Sequence, residues 1–100
     1  MADKSSFHET RILTPHDWDR FKTDFNKHFP GYFAKLHTKY PNLTASEIRL
    51  MALLKLHFNI KKIAFILGIA PQSIIKSRYR LKKKLALKDS ITLEKISQSI

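Results

Sequence analysis

The chain has 100 residues, 43% of them apolar, and a formal net charge of +11. That length suits one small domain, and an aromatic content of 11% supplies a modest core. The lack of cysteine excludes a disulfide framework and a thiolate metal site, and no apolar run is long enough for a membrane span or a signal region, so a cytoplasmic protein is expected.

Residues 1–12 are polar and without periodicity, which predicts a disordered tail. A first helix is predicted over 15–29. Thr14 is its N-cap, Pro15 its first residue, and Leu13 and Trp18 have the spacing of a hydrophobic staple. Trp18, Phe21, Phe25 and Phe29 recur on one face, as core or as an oligomer interface. Pro30-Gly31 ends this helix, and a second runs over 32–40 to Pro41. Thr44 and Glu47 then form a capping box that opens a helix over 45–57. Its residues Ile48, Leu50, Met51, Ala52, Leu53, Leu54 and Leu56 are apolar nearly all round, so it should be the most buried element. Asn59 caps a fourth helix over 60–67, and Pro71 opens a fifth that reaches about 87. Residues 89–100 read as a C-terminal tail with a weak period in Ile91, Leu93, Ile96 and Ile100, compatible with a short helix.

The fourth and fifth helices have helix-turn-helix spacing. Ala64 is small where the helices cross, and Gly68 can take the positive φ of a tight turn. Ile69 is expected to plug the space under that turn, and Ile74 to anchor the second helix. Leu67, Leu81 and Leu85 complete the seam.

The charge is concentrated in the same region. Residues 48–88 carry eleven Lys or Arg and no acid, whereas the rest carries eight of each sign. Such a basic half points to a polyanionic partner. At about 100° per residue, Ile74, Arg78, Leu81 and Leu85 fall on the core side of the fifth helix. Gln72, Ser73, Ile75, Lys76, Tyr79, Arg80 and Lys83 fall opposite. That mixture suits groove reading: Gln pairs with adenine, Arg or Lys with guanine, and Ile75 meets a thymine methyl. Ser73 and Tyr79 can bond bases or phosphates. Gln72, Ser73, Ile75, Lys76, Tyr79 and Arg80 are therefore the expected base-reading residues. Lys61, Lys62, Lys82, Lys83 and Lys84 are the expected phosphate contacts. Arg78 either pairs with Glu47, the one acid between Asp24 and Asp89, or snorkels to water.

Residues 43–87 also resemble the DNA-binding domain of LuxR/NarL-type transcription regulators. The likeness lies in LT..E at the start, IA..L.I, the pair Ser73-Ile74, and KL at 84–85. The preceding DW..F...F and YP.LT segments are similar to divergent LuxR-like effector domains of Bacteroidetes sensory proteins. The resemblance implies an all-α domain over 13–88: a four-helix LuxR-like core preceded by an extra N-terminal helix. It also implies a recognition helix in the major groove of double-stranded DNA, a homodimer on DNA, and contact with RNA polymerase. Its base-facing positions fall on Ile75, Lys76 and Tyr79, and its hydroxyl on Ser73. Ala70, a poor cap, and His57-Phe58, where a glycine is common, depart from the family pattern.

Two rival readings are promoter binding like that of sigma-factor region 4, and a basic amphipathic helix on an anionic membrane or acidic protein. The histidines show no ligand spacing, glycine-rich phosphate loops are absent, and no enzyme, metal or cofactor is expected.

Overall fold

Leu50 to Leu54 are five consecutive residues, and all five are buried. They lie in α3 (Ala45–Lys55), and a helical segment buried all round must be covered from several directions at once. The computed structural model, which describes residues 7, 10–87 and 90–100, shows how this is done. The chain is all-α, in the order α1 (Pro15–His28), α2 (Tyr32–Lys39), α3, α4 (Ile60–Leu67), α5 (Pro71–Lys84) and α6 (Leu93–Gln98). Among the described residues there is no strand, and no helix is long and apolar enough to cross a membrane.

One side of the core is aromatic. α1 starts with a full capping box, in which the Asp17 N–H donates to Thr14 Oγ1 at 3.1 Å and the Thr14 N–H to Asp17 Oδ2 at 3.1 Å. The α1 rings pack on each other and on α2: Trp18 stacks on Phe21 at 5.4 Å, and Phe25 meets Phe29, Tyr32 and Phe33 at 4.9, 5.1 and 5.2 Å. The aromatic stripe is therefore spent on the core. The Arg49 guanidinium lies over the Trp18 ring at 5.2 Å, tying α3 to α1.

α6 covers another side, and it packs against α3 more extensively than any other pair of helices packs. Leu93 and Ser97 are buried. Ser97 Oγ donates to the Met51 carbonyl at 2.7 Å and lies 2.7 Å from the Tyr32 hydroxyl, which is itself 3.1 Å from the same carbonyl. The two hydroxyls have two protons for these three contacts, so two of the three are filled at a time, either by both donating to the carbonyl or by one donating to the other. Burial pushes the Tyr32 phenol up to about 12, against the opposing pull of Ser97. Gln98 Nε2 donates to the Leu54 and Lys55 carbonyls, and Lys55 Nζ returns a bond to the Gln98 carbonyl at 3.1 Å. These bonds satisfy carbonyls at the end of α3 that the helix itself leaves open.

Both expected tails need correction. Phe7 and Ile12 are buried, Phe7 lies 5.4 Å from the Phe21 ring, and the Ile12 N–H donates to the Ile66 carbonyl at 2.8 Å. The rest of the predicted disordered segment, 1–6 and 8–9, lies outside the described residues. At the other end, the short helix forms but is part of the core. Leu93 is buried and Ile96 and Ile100 pack against the core, as their weak period allows, but the polar anchors Ser97 and Gln98 are not part of that period. Residues 88 and 89 also lie outside the described residues.

Several helices stop earlier than the sequence pattern suggests. α3 ends at Lys55 because His57 adopts φ +64°, and α5 ends at Lys84 because Ala86 adopts φ +52°. In each case two backbone bonds close a Schellman motif: His57 N–H to Leu54 O with Phe58 N–H to Leu53 O, and Ala86 N–H to Lys83 O with Leu87 N–H to Lys82 O. α1 and α2 each end one residue early, at the extended φ of Phe29 and Tyr40.

Ala86 takes a left-handed conformation at a cost of about 1 kcal/mol that glycine avoids. Ala86→Gly is expected to raise the free energy of unfolding by about 1 kcal/mol, and Gly68→Ala to lower it by more than that, both measured by urea denaturation.

Candidate nucleic-acid interface

α4 and α5 pack against each other across a tight turn at Gly68. Asn59 caps α4, its Oδ1 accepting the Lys62 N–H at 2.8 Å. Ala64, Ile74 and Leu81 are buried, with Leu67 and Leu85 half-buried beside them. Gly68 closes α4 at φ +67°, with its N–H donating to Phe65 O and the Ile69 N–H to Ala64 O. A side chain there would also collide with Leu13, whose Cδ2 would lie 2.6 Å from a Cβ at this position. Leu13, expected to staple α1, instead lies over the turn and is 56% exposed.

Ile69 corrects another expectation. It is 45% exposed, so it does not plug the turn. Residues 11–13 cover that region from outside: Leu13 sits on Gly68, and the Arg11 guanidinium lies 4.2 Å from the exposed Phe65 ring. A strap that arrives from the far end of the chain leaves no local signal near Ile69.

The face of α5 follows the helical wheel. Gln72, Ser73, Ile75, Lys76, Tyr79, Arg80 and Lys83 are all exposed. Tyr79 is the most open large apolar residue of the described chain, at 61%, and Lys83 Nζ lies 4.9 Å from its ring centroid. The pair presents an aromatic plane backed by a cation. α5 begins at Ala70, which provides no side-chain cap, and Pro71 occupies its first turn. Lys61 is exposed at the start of α4, while Lys62 is half-buried with Nζ 5.1 Å from the Phe65 ring. Lys82 is also half-buried.

Two acids among the described residues, Glu47 and Glu94, alter the expected roles of the α5 bases. Glu47 does not pair with Arg78. Its Oε1 accepts from Lys84 Nζ at 2.8 Å and from the Thr44 N–H at 2.8 Å. Lys84, an expected phosphate contact, is thus engaged at the N-terminus of α3. Arg78 pairs instead with Glu94 in the first turn of α6. The sequence pattern missed this partner because Glu94 lies beyond the helix-turn-helix, on an element expected to be a tail. The one available signal is Thr92 as an N-cap with an acid two residues on, which marks a helix start but not its docking direction.

Burial of Glu47 acts to raise its pKa. Hydrogen bonds from Lys84 and Thr44, and the Lys84 charge, outweigh it, so the carboxyl sits below its ordinary value. A depressed acid contributes stability above its unfolded pKa and loses it as pH falls through the folded value.

No family model, curated protein or solved structure matches this chain. The likeness to LuxR-type domains rests on the residues quoted for it.

Melting temperature measured against pH should separate the role of Glu47. Wild-type protein is expected to lose stability on acidification below about pH 4.5, and Glu47→Gln to start lower at neutral pH and show a flatter acid limb.

Proposed function

We propose that this protein binds double-stranded DNA sequence-specifically, as the output domain of a transcription regulator, with α5 in the major groove. The observation that carries this reading is the exposed mixed face of α5. Gln72, Ser73, Ile75, Lys76, Tyr79 and Arg80 project together from a helix whose opposite side is locked by Ile74 and Leu81. Each of these side-chain types has a base-edge or backbone partner in a groove. The surrounding segment, with eleven bases and no acid, supplies the attraction to phosphate.

The assignments sharpen when the ion pairs are considered. Lys76, Arg80, Lys83 and Lys61 are exposed bases suited to DNA, whereas Lys84 serves the α3 cap. Tyr79 offers a flat surface for a base or sugar, with Lys83 over it. The LuxR-type resemblance adds pairing of two copies on a two-fold site and contact with RNA polymerase. The membrane reading is less favoured, because the apolar stripe of α5 formed by Ile74 and Leu81 is consumed by the core, and the exposed face holds only Ile75 and Tyr79 among polar and basic residues.

Selection from random duplex DNA followed by titration over a range of salt tests the reading. Wild-type protein should enrich a short motif and bind it with a strong salt dependence. Lys76→Ala with Tyr79→Ala should flatten the sequence preference. Lys61→Ala should weaken binding to every duplex and reduce the log–log salt slope by about 0.9. Lys84→Ala should lower stability but leave that slope unchanged. Binding to anionic vesicles with no salt-dependent binding to any duplex would overturn the proposal.

A further inference from the structure

The Arg78–Glu94 pair stands at the rim of a shallow groove of about 360 Å³, lined otherwise by Phe58, Asn59, Ile60 and Lys61. Asn59 caps α4 there, so the groove lies at the positive end of that helix. Lys61 and Arg78 add two cations, and among the described residues Glu94 is the one acidic side chain that lines it. The pair is not sealed in the core: the Arg78 side chain is 24% exposed and that of Glu94 41%. A carboxylate and a phosphodiester carry the same single charge and accept hydrogen bonds from a guanidinium in the same way.

We propose that Glu94 acts as an internal substitute for a DNA phosphate. It occupies Arg78, withholds that guanidinium from the DNA backbone, and so sets how many phosphates the domain engages. The proposal rests on the DNA-binding reading and adds a control element to it. Arg78 leaves α5 on the side away from Lys76 and Tyr79, but it lines the same groove as Lys61, one of the bases assigned to DNA phosphate. A partly exposed ion pair contributes little by itself, so the arrangement is open to exchange. Glu94 is a positioning residue in this scheme, because it acts through Arg78. Its other effect is mechanical: α6 is also held by Leu93, Ser97 and Gln98, so removing the Glu94 charge leaves the docking of that helix in place.

The test compares salt slopes on one duplex for wild type, Glu94→Gln, Glu94→Asp, Arg78→Met and the double variant Glu94→Gln/Arg78→Met, with circular dichroism to verify folding. Glu94→Gln should bind more tightly, with a slope steeper by about 0.9, the value for one added phosphate contact. Glu94→Asp keeps the charge that favours the start of α6 but shortens its reach, and should steepen the slope in the same direction. It carries the test if Glu94→Gln does not fold. Arg78→Met alone should leave the slope near wild type, and the double variant should return to it. Asp24→Asn, which removes an acid on the outer surface of α1, should not change the slope and so excludes a general charge effect. An unchanged slope in folded Glu94 variants, or a lowered slope in Arg78→Met, overturns the proposal while leaving DNA binding intact. Failure of every variant, wild type included, to bind duplex DNA removes the underlying reading as well.

Discussion

A helical segment buried on every side has to be surrounded, and the architecture of this chain follows from that requirement at residues 50–54. Leu50 to Leu54 present side chains in every direction around α3, all of them buried. One neighbour covers only part of a helical circumference. The aromatic layer of α1 and α2, the α4–α5 pair and the C-terminal α6 are drawn onto the same axis. The Tyr32, Ser97 and Met51 bonds join α2, α6 and α3 at the centre of this arrangement, where an unpaired hydroxyl would be costly. Phe7 extends the aromatic layer further, which draws the N-terminal segment into the core.

The same constraint determines which groups of α5 remain outside. With Ile74 and Leu81 committed to the core, the helix cannot rotate, and Gln72 through Lys83 are presented on a fixed face. The charge run that dominates the sequence is then edited by contacts from other elements. Glu47 engages Lys84 from the start of α3, and Glu94 engages Arg78 from α6. Both acids lie outside the 48–88 segment, so its bases are not equivalent although they look so in sequence. Charge position, more than charge number, governs what such a surface presents to a polyanion.

Much of the fold was legible because its signals are local. The Thr14 and Asn59 caps, the capping box at Thr44, the Pro15 and Pro71 starts and the Gly68 stop each involve residues within a few positions of one another. The stops at His57 and Ala86 were less legible. Alanine does not announce a left-handed conformation, and histidine announces it only weakly, although a glycine is common at His57-Phe58 in the family that the chain resembles. The outward side of α5 was legible from periodicity, since one buried stripe on a helix defines its opposite side. The partners of Arg78, Lys84 and Ile69 were not, since each depends on which distant segment arrives beside it.

The sequence by itself determined the all-α class, the helix starts, the helix-turn-helix spacing of Ala64, Gly68 and Ile74, and the outward set on α5. These follow from short-range sterics, capping chemistry and a period of about 3.6 residues. Only the tertiary structure decided that Phe7 and Ile12 belong to the core, that Leu13 closes over Gly68, and that α6 docks on α3 through Ser97 and Gln98. It also decided that Arg78 faces Glu94. These contacts join residues far apart in the chain, and their partners are selected by the direction in which helices cross, which no local pattern encodes.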